Sequence, residues 1–139
     1  MARRLQDPGA AWFKHTWVSE RAIKASYPQH TPGIVLPHLP DGAMELDEDA
    51  FVKMADGELQ PFRRGDRLAV EIERSRKDFH RLDVILPDLL KHYVGVWYFC
   101  RPKAADAVLK TRERLVKEGT LSVAQSKLTR VLDLAEAEE

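Results

Sequence analysis

The sequence predicts an α/β sandwich, with a mixed central β-sheet flanked by helices. Three stretches carry that expectation. Leu68-Ala69-Val70-Glu71-Ile72-Glu73 ends in an alternation of apolar and charged residues, the period of a strand. Val94 to Cys100 is a continuous apolar run rich in β-branched and aromatic residues, the pattern of a strand buried on both faces. A helical pattern from Ala104 to Glu118 follows that run and makes half of a βαβ unit.

In chain order, residues 1–11 read as a flexible lead with a turn at Pro8-Gly9. Residues 12–135 read as a single α/β domain, and residues 136–139 as an acidic tail. Ala11 to Tyr27 is expected to be one helix. Trp12, Phe13, Val18, Ala22, Ile23 and Tyr27 form its rough stripe, and Pro28 stops it. Ile34 to Pro40 is apolar but broken by prolines, so an irregular segment is expected there. Asp41-Gly42 turns into a short strand over Ala43–Leu46. Asp47 to Arg67 is polar, and Asp56-Gly57 inside it is a hairpin signal. The carboxylate strand follows, running to Ser75.

Lys77 to Tyr93 reads as a helix. Phe79, Leu82, Ile85, Leu86, Leu89 and Leu90 form its core-facing stripe, and Pro87 inside it allows a kink or a break near Leu86. Gly119 suits the end of the next helix. Leu128 to Leu134 fits either a helical extension or a closing strand, and the βαβ pattern favours the strand.

The bulk numbers exclude several classes. No apolar run is long enough to span a bilayer, and no apolar segment follows the basic start as in a signal peptide. The single Cys100 leaves no disulfide framework and suits a reducing, cytoplasmic setting. Lys and Arg together number 22 and so do Asp and Glu, so bulk charge does not favour nucleic acid and any such binding needs a local patch. Arg63, Arg64, Arg67, Arg74, Arg76, Lys77 and Arg81 supply one, diluted by Asp66, Glu71, Glu73 and Asp78. A solvated surface is the plainer reading of that stretch.

Glu71 and Glu73 lie two apart on one strand face, where they repel each other. Such a pair is tolerated facing water, beside cations, or on a metal ion. With Asp41 at the end of a neighbouring strand, they could converge on a hard cation such as Mg²⁺. Lys77 falls in the first turn of the following helix and could steady a phosphoryl oxygen. Glu20 could add a further carboxylate. The plain alternatives are that Asp41 serves its turn and that the glutamates face solvent. The histidines show no metal spacing. His38 could contact substrate, and His80 with Arg81 could bind phosphate. No Gly-rich phosphate loop or nucleophile elbow is present. The aromatics at Trp12, Phe13, Trp17 and Trp97-Tyr98-Phe99 sit in apolar company and read as core.

Trp17-Val-Ser-Glu20-Arg21, His38-Leu-Pro-Asp41-Gly42, Ala69-Val-Glu71-Ile-Glu73-Arg-Ser-Arg-Lys77 and Tyr93 with Val96-Trp-Tyr98-Phe99 together resemble the plasmid replication-relaxation family. The likeness spans residues 12–100. It implies a PD-(D/E)xK nuclease-like, restriction-endonuclease-like domain in a DNA-associated protein of plasmid or mobile-element replication. Asp41, Glu71 and Glu20 would then be the Mg²⁺ ligands. Glu73 and Lys77 would be the catalytic groups, and His38, Arg74, Arg76, His80 and Arg81 would contact DNA. The motif lysine is replaced by Glu73. The length leaves no room for the family's winged helix, so DNA contact is expected through a separate domain or partner protein. A homodimer is compatible with this reading. The alternative expectation is an inactive nuclease-fold module that mediates DNA or protein interaction.

Overall fold

The computed structural model describes residues 13–27, 38–73 and 82–133. Within them, five strands form a mixed sheet. In chain order these are β1 (His15–Ser19), β2 (Gly42–Leu46), β5 (Arg67–Glu73), β6 (Gly95–Cys100) and β7 (Thr129–Asp133), and they lie side by side in that order. The pairs β1–β2 and β2–β5 are antiparallel, while β5–β6 and β6–β7 are parallel. Parallel neighbours require crossovers. They are α2 (Leu82–His92) between β5 and β6, and α3 (Pro102–Lys117) with α4 (Val123–Lys127) between β6 and β7. The expected mixed sheet flanked by helices is present, and within the described residues the closing strand runs over Thr129–Asp133.

Period-two alternation divides the core in two. Leu68, Val70, Trp97 and Phe99 face one side, where Phe13, Met44 and Leu46 join them. That side is covered by a hairpin of β3 (Ala50–Lys53) and β4 (Leu59–Phe62), which contributes Val52 and Phe62. Its turn uses Gly57 at φ 86°, with the Asp56 carboxylate accepting from the Glu58 amide at 3.1 Å. Ala69, Val96, Tyr98 and Cys100 face the other side, against Leu82, Leu86 and Leu89 of α2 and Ala104, Val108 and Leu115 of α3. All six residues of β6 are buried, as their unbroken apolar run predicts. The aromatics of that run are core.

Two expectations are corrected. Residues 11–27 do not make one helix. His15–Ser19 is an edge strand on β2, and the helix α1 (Glu20–Ser26) begins only after it. Ser19 caps α1, its Oγ accepting from the Ala22 amide at 3.1 Å. Pairing with β2 gives residues 15–19 backbone partners that a helix would have supplied locally, so tertiary context overrides a weak stripe. Pro87 neither breaks nor ends its helix, because α2 continues through it to His92. The missing prolyl amide leaves one acceptor on the exposed Asp83 turn, where water can serve it, while Leu86 and Leu89 hold both flanks in the core.

Candidate functional site

The geometry at the start of β2 follows from register. The β2–β5 ladder ends at Gly42 opposite Val70. Beyond that pair β2 offers no further strand carbonyl to β5. The Asp41 side chain takes the place, with Oδ2 accepting from the Ile72 amide at 2.7 Å. Asp41 is therefore fixed to β5 by its carboxylate. Gly42 is required next to it for space. A Cβ there would stand 2.2 Å from Cζ2 of Trp17 on β1.

Glu71 shares the face of Ala69 and points to the helix-covered side. Only 6% of it is exposed, so the solvated reading of this residue is excluded. Its Oε1 lies 3.0 Å from Nε2 of His38. Burial pushes the Glu71 carboxyl above its usual range, the His38 hydrogen bond opposes that, and the negative charges of Asp41 and Glu20 push it further up. The charges of Asp41, at the start of β2, and of Glu20, in the first turn of α1, thus both bear on Glu71 of β5. The sequence singled out these three, and the fold brings them into one electrostatic neighbourhood.

His38 is held at three points. Its amide donates to Oδ2 of Asp88 on α2 at 2.6 Å. Its carbonyl accepts from the Tyr27 hydroxyl at 3.2 Å. Its imidazole meets Glu71, a contact that raises the His38 pKa above the usual value despite partial burial. Tyr27 in turn hydrogen bonds to Tyr93, whose phenol is pushed up to about 12, chiefly by burial. Asp88, Tyr27 and Tyr93 carry no functional signal in the sequence of the kind the acidic residues do. A carboxylate between Pro87 and Leu89, inside an apolar helix, was the signal available for Asp88.

Glu73 ends β5, level with Cys100 of β6. Its side chain, and Arg74, Arg76, Lys77, His80 and Arg81 entirely, lie outside the described residues. Among the described residues no group of three or more His, Cys, Asp or Glu side chains is arranged to hold a metal ion. The donor chemistry of Asp41 and Glu71 still suits a hard cation, since Mg²⁺ binds through one or two carboxylates completed by water and substrate phosphate. Also among the described residues, no helix is long and apolar enough to cross a membrane. Comparison of the chain with family models, with curated proteins and with solved structures returns no match.

Proposed function

We propose that the chain is a DNA-associated protein, of the plasmid or mobile-element replication kind its motifs resemble, whose acidic site hydrolyses phosphodiester bonds with Mg²⁺. The observation that carries this reading is Glu71, a buried acid raised by burial and by the charges of Asp41 and Glu20, with a histidine fixed to one oxygen. Perturbed acids clustered in this way are more frequent at functional sites than in ordinary surfaces. Asp41 and Glu71 would hold the cation, with Glu20 as a further carboxylate toward it. When bound, the cation supplies an activated water and neutralises phosphoryl charge.

The chain's own residues have defined tasks. The Ile72 amide fixes Asp41 before substrate arrives, so no reorientation is needed. His38 engages Oε1 of Glu71, which leaves Oε2 as the donor to a cation. The His38 backbone, donating its amide to Asp88 and accepting from the Tyr27 hydroxyl, is pinned where its imidazole meets Glu71. Glu73 as base and Lys77 as transition-state cation complete the set, with Arg74, Arg76, His80 and Arg81 on the DNA backbone.

The test is calorimetric titration of Mn²⁺ and Mg²⁺ into wild type and Asp41→Asn, with and without duplex DNA, alongside nicking of supercoiled plasmid. Wild type is expected to bind and nick, and the variant to lose both while keeping its thermal midpoint. No metal binding by wild type, with or without DNA, would sink the hydrolytic reading.

A second reading is favoured by one observation: Asp41 and Glu71 both have partners inside the chain, the Ile72 amide and His38. On that reading the cluster is a structural network in an inactive module that binds DNA or protein. DNA binding that falls with salt while Mn²⁺ gives no heat would select it.

A further inference from the structure

β7 closes the sheet, and among the described residues no strand pairs with its outer side. Its backbone groups alternate in direction. The Val96 amide donates to the Leu128 carbonyl at 2.9 Å, so residues 128, 130 and 132 turn their backbone groups toward β6. Thr129 and Val131 turn theirs outward. The Thr129 carbonyl accepts from Nη1 of Arg112 at 2.8 Å. The Val131 amide and carbonyl have no hydrogen-bond partner among the described residues.

A cavity of about 510 Å³ runs along this edge, beside Val131 and Leu132. Ala55, in the turn between β3 and β4, bounds it on one face of the sheet, and α3 bounds it on the other. α3 carries two stripes. Ala104, Val108 and Leu115 pack on the sheet, whereas Ala105, Leu109 and Arg112 line the cavity. Leu109 is 37% exposed. The second stripe thus overhangs the place that a further strand would take, and the open edge below it offers that strand a donor and an acceptor.

Geometry and charge select a second copy of this chain as the occupant. An identical strand, laid antiparallel across a two-fold axis at Val131, exchanges both hydrogen bonds between the two Val131 residues. Because α3 packs on both β6 and β7, the same axis sets the two α3 helices antiparallel at roughly 10 Å, an ordinary helix-packing distance. Asp106 and Arg112 stand three residues to either side of Leu109, and both line the cavity. With Leu109 near the axis, Asp106 of each copy comes opposite the partner's Arg112. In the single chain Asp106 meets Lys110 at 3.0 Å, an exposed pair that yields readily. Lys and Arg together equal Asp and Glu, at 22 each, so two copies meet without net repulsion.

We propose that the chain forms a two-fold dimer through β7, with the partner's β7 as the next strand of a continuous sheet and the Leu109 stripes of the two α3 helices packed together. The interface uses none of the residues of the acidic site.

The test is sedimentation velocity of the full chain over a wide range of concentration, with amide hydrogen exchange at both ends of that range. The mass is expected to rise from one chain toward two, and exchange at Val131 to slow at least tenfold in the dimer. Leu109→Glu, at an exposed position, is expected to abolish the dimer. Asp106→Arg, which sets like charges across the axis, is expected to weaken it at least tenfold. Thermal unfolding at the dilute end checks that both variants fold. A monomer at every concentration overturns the proposal and leaves the edge to a strand of a different protein. A dimer that both folded variants form as tightly as wild type, or whose Val131 amide exchanges as fast as in the monomer, overturns it too.

Discussion

Nε2 of His38 lies 3.0 Å from Oε1 of Glu71, and this contact ties the segment before β2 to the buried face of β5. A half-buried imidazole thereby satisfies a carboxylate that is almost wholly removed from water. Removing either partner has opposite consequences. Glu71→Gln keeps an oxygen acceptor and deletes a buried charge that Asp41 and Glu20 disfavour. Its thermal midpoint is expected to equal or exceed that of wild type. His38→Ala leaves the Glu71 carboxylate buried without its donor, at an expected cost of about 1–3 kcal/mol. Calorimetric unfolding of the two variants checks both signs, and a clear loss of stability in Glu71→Gln would show that the charge itself is structural.

The same pair sets a pH dependence. His38 is raised above 6.5 by Glu71, and Glu71 is raised above 4.5 by burial. The folded chain therefore binds the protons of both groups more tightly than the unfolded chain does. The stability they contribute is complete below the unfolded values and falls as pH climbs through the folded ones. Denaturant unfolding of wild type and Glu71→Gln should show the variant gaining relative stability as pH rises from about 4.5 to beyond 6.5. A relative loss over that window contradicts the sign.

Asp41 supplies an acceptor that the β2 backbone cannot reach. Asp41→Ala strands the Ile72 amide and is expected to cost about 0.5–1.5 kcal/mol. Asp41→Asn keeps a carbonyl acceptor for the amide and should lie within about 0.5 kcal/mol of wild type. The asparagine variant thus separates metal binding from folding, and comparing the two unfolding midpoints checks the premise.

Gly42 is a matter of space rather than of backbone freedom. A methyl at this position would overlap the Trp17 ring, a rigid group on the neighbouring strand. Gly42→Ala is expected to lose about 1–3 kcal/mol. The loss should appear with a change in tryptophan fluorescence as the ring is displaced. An unchanged midpoint would mean that the β1–β2 pair yields easily.

Thr129 presents the reverse case. It is wholly buried, and its hydroxyl has no hydrogen-bond partner among the described residues. Arg112 uses its backbone carbonyl instead. Thr129→Val keeps the shape and removes the stranded hydroxyl, so stability is expected to rise by about 1–2 kcal/mol. A fall would mean that the hydroxyl has a partner in solution.

Periodicity within a few residues is enough to specify β5, β6 and α3, whereas the closing strand rests on the βαβ connection and not on its own residues. Val70 with Ile72, and the unbroken run of β6, state their burial by composition alone. The hairpin was signalled by Asp56-Gly57. Residues 15–19 form an edge strand of five residues, too short a pattern to outweigh the rough helical stripe around it. The site was legible only as a set of names. Asp41, Glu71 and Glu20 were singled out, yet their relations to Ile72, His38 and one another were not visible in the chain.

The amino-acid sequence by itself determined which segments alternate, which are apolar throughout, and therefore the class of sheet. Tertiary structure alone decided that Glu71 is buried, that Asp41 meets the Ile72 amide, and that His38 reaches across from another segment. The reason is physical. Secondary structure follows from neighbours in sequence, whereas these contacts depend on where the β2–β5 ladder ends, and that register is set by packing across the whole sheet.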